Sequence, residues 1–173
     1  MKRLWWLIMI LAALVQLCAC SRAERVWETV DDDLEQETVG EAPMRIVFDV
    51  PPEAEQVGVL DDCRVYAQGD GDYEITARTL ACGDVREVIR AVSGFEPERL
   101  RTVLRQDGLL PQYSFCWYTE TDGGGRLYRA EVLADTDYCY ALVFGVREGL
   151  GTIYDSIEEQ VFASFGLISD EMV

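Results

Sequence analysis

The chain has 173 residues, 49% apolar and 27% charged, which is enough to bury one core and too short for two large domains. Its 15 basic residues face 32 acidic ones, a net charge of −17, and a surface of that sign repels phosphate backbones, which argues against a nucleic-acid partner. Histidine is absent, which removes Ser-His-Asp triads, histidine bases and imidazole metal sites.

Lys2 and Arg3 precede Leu4 to Leu17, an apolar run in which Gln16 is the one polar residue, and small residues follow at Cys18-Ala19-Cys20. This is the pattern of a signal peptide over residues 1–19, and the run falls short of the ~20 apolar residues of a membrane-spanning helix. Leu17-Cys18-Ala19-Cys20 resembles the bacterial lipobox, although Cys18 stands where Ala or Ser is commoner. The resemblance implies cleavage before Cys20, diacylation of its thiol, and a protein held by membrane lipid at the extracytoplasmic face. A secreted soluble form and an uncleaved anchor are the alternatives.

Cleavage would leave 13 basic against 32 acidic residues, net −19, and no lysine. Such a chain has no basic patch for anionic lipid, so a covalent anchor would have to hold it. In residues 20–43, Glu24, Glu28, Asp31, Asp32, Asp33, Glu35, Glu37 and Glu41 oppose only Arg22 and Arg25, the composition of a self-repelling tether. The competing reading is an acidic docking peptide centred on Trp27. Asp31 to Asp33 lack the Gly-bearing loop and the spaced second ligand set of a calcium site.

Residues 44–168 read as a single α+β domain, with 169–173 a short tail. Ile46, Phe48 and Val50 alternate with polar or outward positions, giving a first strand that Pro51-Pro52 stops. Cys63 to Gln68 and Tyr73 to Leu80 flank Gly69-Asp70-Gly71-Asp72, a hairpin with Tyr73, Ile75, Ala77 and Thr79 on one face. Asp70, Asp72 and Glu74 alternate like the start of an EF-hand loop, but the Gly and Glu that such a loop needs are missing, so turn chemistry is the better reading.

Asp84 and Glu87 have capping-box spacing, and Val85, Val88, Ile89 and Val92 recur at helical period, with Gly94 as the C-terminal stop and Pro97 opening one further turn. Beyond Thr102 to Gln106 and the reversal at Asp107-Gly108, the runs Tyr113 to Glu120, Arg126 to Leu133 and Tyr138 to Val146 predict an antiparallel meander. The last run carries no charge on either face and should be covered on both sides. A helix from about Thr152, with Ile153, Tyr154, Ile157, Val161 and Phe165 on its apolar stripe, supplies one cover.

The closing unit, from the meander through Ile153 to Phe162 and on to Ala163-Ser164-Phe165-Gly166-Leu167, resembles the end of PsbP-like domains, and Ile46-Val47-Phe48-Asp49-Val50-Pro51 is similar to their first strand. The resemblance implies an antiparallel β-sheet packed by amphipathic helices as an α/β/α sandwich. It further implies a small binding or assembly module, often exported or lipidated and usually without catalysis, with no cofactor and no residue-level site.

With Cys20 acylated, Cys63, Cys82, Cys116 and Cys139 allow three pairings. In the simplest meander Cys116 lies opposite Ala130 and Cys139 opposite Val132, about 9–10 Å apart on non-neighbouring strands. A disulfide tolerates ~7 Å between Cα atoms. The expected bridge is therefore Cys63 to Cys82, which bracket a hairpin and a Gly-bearing turn, with Cys116 and Cys139 as small buried apolar groups. No Cys-x2-Cys pair supports a metal site.

The five serines of residues 93–169 have no His or Lys to activate them, and Gly123-Gly124-Gly125 links two strands where a phosphate loop would open a helix. The aromatic sets Tyr113, Phe115, Trp117 and Tyr138, Tyr140, Phe144 read as core in preference to a ligand platform. Three classes of function remain: an anchored interaction module with a protein partner, a ligand- or solute-binding lipoprotein with a pocket between sheet and helices, and a carboxylate hydrolase. The first is favoured by elimination.

Overall fold

The computed structural model of the protein describes residues 42–60, 62–121 and 124–169. The signal peptide, the lipobox with Cys20 and the acidic segment as far as residue 41 lie outside them, as does the tail beyond Ser169. Among the described residues no helix is long and apolar enough to cross a membrane.

Among the described residues nine strands and two helices follow one another: β1 (Arg45–Val47), β2 (Ala54–Leu60), β3 (Cys63–Gln68), β4 (Tyr73–Ala81), α1 (Val85–Ser93), a 3-10 turn (Pro97–Arg99), β5 (Val103–Arg105), β6 (Gln112–Thr121), β7 (Gly124–Ala134), β8 (Tyr138–Arg147), α2 (Gly151–Ala163) and β9 (Gly166–Ile168). β2 to β8 form an antiparallel sheet in the order β2-β3-β4-β8-β7-β6-β5, while β1 and β9 pair with each other. The fold is α+β, as the sequence reading expected.

Local chemistry accounts for the elements. Gly71 takes φ 68° in the β3–β4 turn, where Gln68 accepts hydrogen bonds from the backbone of Asp70, Gly71 and Asp72. Asp84 caps α1 by accepting from the Arg86 N–H, and Gly94 ends it at φ 76°. α1 buries Val88 and Ile89 against one face of the sheet, together with Phe115, Trp117, Ala130, Val132, Cys139, Ala141 and Val143. α2 covers the opposite face, where Val161 and Phe162 pack on Tyr73, Ile75, Ala77, Tyr140, Leu142, Phe144 and Val146. β8 thus sends alternate side chains into two cores, which is why its sequence carries no charge until Arg147.

Two expectations are corrected, and one strand was not anticipated. The first strand ends at Val47, because its partner β9 offers only three residues, and it stands outside the main sheet. The edge strand β2 was not legible: Glu55, Gln56 and Gly58 dilute its apolar alternation, and Val57 and Val59 stay more than 60% exposed. Ile153, expected on the apolar stripe of the last helix, is 64% exposed, whereas Phe162, not assigned to that stripe, is buried. The two aromatic sets are core, as expected, and lie on opposite faces of the sheet.

Candidate functional site

A helix of nine residues is about 14 Å long, whereas strands of ten or eleven residues run about 33 Å. α1 therefore cannot cover its face of the sheet. It sits over the Val132, Cys139 and Ala141 end, and the remainder opens as a groove of about 280 Å³ crossing β3, β4, β8, β7 and β6.

The depth of the groove comes from small side chains. Thr76 of β4 lies opposite Val143 of β8, and Arg78 lies opposite Ala141, so the floor between them is low. Val92 of α1 forms one wall. The other is the ring of Tyr128, which stacks on Trp117 with centroids 5.0 Å apart and planes 9° apart. Tyr128 lies opposite Gly145, and a Cβ added at Gly145 would fall 2.4 Å from its ring, so the aromatic wall exists only because that inner-strand residue is glycine. The Tyr128 hydroxyl donates to Glu74 Oε1 at 3.1 Å, and Glu74 Oε2 lies 3.6 Å from the Arg126 guanidinium, which also donates to the Gly71 and Gly145 carbonyls. Burial and then the Glu74 carboxylate push the Tyr128 hydroxyl above its ordinary pKa, so it remains a donor.

Three groups give the groove its polarity. Thr76 and Thr119 supply hydroxyls, and Arg78 is the one charged side chain on its wall. Among the described residues the Arg78 guanidinium has neither an ion pair nor a hydrogen bond. A shallower depression on the other side of α1, about 320 Å³, differs in this respect, because its Arg86 and Glu98 pair with each other.

The cysteines are arranged differently from expectation. Cys82 is bonded to Cys139, with Cα atoms 5.2 Å apart, and Cys63 and Cys116 are free. The expected Cys63–Cys82 bridge fails because β4 pairs with β8 along its whole length: Leu80 faces Cys139, which brings the end of β4 onto it. Cys116 is opposite Arg129 and Cys139 opposite Ala134, so the assumed meander register was also displaced. Cys139 is buried as expected, but in a disulfide, and Cys116 is exposed. Cys63 lines the Arg78 end of the groove.

Asp72, weighed as a metal ligand, instead pairs with Arg147 at 3.0 Å and accepts from the Tyr154 hydroxyl at 2.9 Å. The acids that do converge lie on the α2 face. Glu131 is only 3% exposed and accepts from Gln112 and, at 2.8 Å, from Arg129. Arg129 also reaches Glu158 of α2 at 3.2 Å and lies over the Phe162 ring at 4.4 Å. One arginine shared by two carboxylates ties α2 to the sheet. Burial raises the Glu158 pKa above the ordinary carboxylate value, with Arg129 opposing.

Trp117 is core, as expected, 8% exposed and stacked between Phe115 and Tyr128, and it also lines the groove. Sequence reasoning missed Arg78 and Tyr128. The available signals were Gly145 inside an otherwise bulky inner strand, and a polar β4 face at Thr76 and Arg78 behind Ile75 and Ala77.

No family model matches the chain, and no curated protein matches it. Solved structures do. Cyanobacterial PsbP (CyanoP) of Synechocystis sp. PCC 6803 superposes with a TM-score of 0.53 at 13% identity, over 76% of this chain and 96% of that one. LpqN, involved in cell envelope biogenesis of Mycobacterium tuberculosis, gives 0.50 at 10% identity, over 72% and 84%. A protein from Bacteroides thetaiotaomicron VPI-5482 gives 0.52 at 11% identity over 73% of this chain, which spans 46% of that longer one. At these identities the likeness is one of fold, and the fold is PsbP-like.

Proposed function

We propose that the protein is a lipid-anchored, extracytoplasmic binding module without catalysis, held to its membrane by acylated Cys20 and working through the groove beside α1. The observation that carries the reading is that groove: a pre-formed trough with an aromatic wall, two hydroxyls and an unpaired guanidinium. The lipobox pattern supports the address, and the likeness in fold to LpqN, itself involved in cell envelope biogenesis, is in keeping with it. Against a hydrolase, the acids that converge, Glu131 and Glu158, are both ion-paired with Arg129 under α2, and neither lines the groove. A protein partner was the leading expectation from sequence. The volume of about 280 Å³, just under the usual ~300–1,000 Å³ of ligand pockets, favours the second reading, a small solute or a single inserted side chain.

The test is native mass spectrometry of the full chain extracted from its membrane in mild detergent, beside a Thr76→Trp variant that fills the trough. We expect an amino-terminal diacylated Cys20 in both and a bound species in the wild type alone. An intact Met1 or an unmodified Cys20 would overturn the anchor. A bound species retained by a folded Thr76→Trp, or none in either form, would overturn the groove.

A further inference from the structure

The groove has a charge preference that follows from what surrounds it. The domain belongs to a chain of net charge −17, and among the described residues five arginines have a carboxylate within 4.0 Å, Arg86, Arg90, Arg126, Arg129 and Arg147, with Arg129 holding two acids.

 Arg78, on the groove wall, has no such partner. An acid-rich chain that neutralises the other charge near the groove, Arg126 by Glu74, and leaves the Arg78 guanidinium without a carboxylate favours an anion there.

We infer, resting on the groove reading above, that the occupant is a small monocarboxylic acid with an aromatic or branched apolar body. Its carboxylate would pair with the Arg78 guanidinium, and its apolar part would lie on Ala141 and Val143 against the Trp117–Tyr128 stack. A monoanion suits the site better than a phosphate dianion. There is one guanidinium to meet it, and the wall from α1 is Val92, in the last turn of the helix, where the backbone dipole is negative. The Thr76 and Thr119 hydroxyls can donate to or accept from a polar substituent on the body.

The probe is 3-(4-fluorophenyl)propanoate, with 3-(4-fluorophenyl)propanamide as its uncharged isostere, titrated into the full-length detergent-extracted protein and followed by fluorine NMR. Three proteins are compared: wild type, Arg78→Gln and Thr76→Trp. Arg78 is exposed, so its replacement should leave the fold intact, as circular dichroism would check. The expected result is that the wild type binds the acid at least about tenfold more tightly than the amide, that Arg78→Gln removes this preference, and that Thr76→Trp binds neither. Equal binding of acid and amide to the wild type, or a preference that survives in Arg78→Gln, would overturn the anion inference while leaving the groove as a site. Binding of neither probe to the wild type, or equal binding to Thr76→Trp, would overturn the groove reading itself.

Discussion

Gly145 is the smallest residue on β8 and makes room for the Tyr128 ring on the α1 face. A methyl group there would meet the Tyr128 ring at 2.4 Å, and Tyr128 can move only by leaving Trp117 and Glu74. Gly145→Ala should therefore cost about 1–3 kcal/mol, the usual range for overpacking, and alter the near-ultraviolet circular dichroism of the Trp117–Tyr128 stack. In a Tyr128→Ala background the same change should cost less, a coupling that a double-mutant cycle in urea would measure. Cys82 and Cys139 act at the same scale. Their bond closes a loop with a sequence separation of 57, worth about 4 kcal/mol in the chain-entropy account. Cys82→Ser should lose stability of that order in denaturant unfolding, Cys63→Ser should not, and a non-reducing peptide map should join Cys82 to Cys139.

Among the elements, β8 carries the most. Its even-numbered residues from Tyr140 to Val146 pack under α2, and its odd-numbered residues from Cys139 to Val143 face α1. Leu142→Asp or Phe144→Asp would bury an unpaired charge, and each should cost several kcal/mol, read as a large fall in melting temperature. An unchanged melting temperature in both would mean that the strand is not an inner one. The clamp between β7 and α2 gives a pH dependence. The Glu158 pKa is raised in the folded state, so the folded form binds its proton more readily than the unfolded chain does. Its contribution to stability is then fully present below the ordinary carboxylate pKa and is lost as pH rises through the raised value. Glu158→Gln should remove that decline, so the stability difference between variant and wild type should shift in the variant's favour from about pH 4 to pH 7.

At the scale of the whole molecule, charge opposes folding. With 32 acidic against 15 basic residues, compaction brings like charges together, and salt screens them over a Debye length that falls from about 30 Å at 0.01 M to about 8 Å at 0.15 M. The melting temperature should rise over that range of ionic strength. A fall would mean that the ion pairs at Arg126, Arg129 and Arg147 outweigh the general repulsion. The same excess of acid makes the open Arg78 informative, because elsewhere on this surface carboxylates are abundant and a free guanidinium beside an apolar trough is not.

The sequence by itself determined the parts written in neighbouring residues. The β3–β4 turn rests on Gly71, α1 on Asp84 and Gly94, and the double burial of β8 on an uncharged run of nine residues from Tyr138 to Val146. Each of these is a local preference, of backbone dihedral, cap or period, that the residues carry wherever the segment lies. Only the tertiary structure decided that β4 lies beside β8, with Tyr73 facing Val146 and Leu80 facing Cys139. That pairing chose the disulfide, displaced the meander register assumed for Cys116 and Cys139, and put Thr76 and Arg78 beside Val143 and Ala141. Arg129 and Glu131 likewise read as a polar interruption of β7 until α2 brought Glu158 and Phe162 over them. Contacts between segments this far apart are set by the summed burial of two whole faces, and no short stretch of sequence carries that sum.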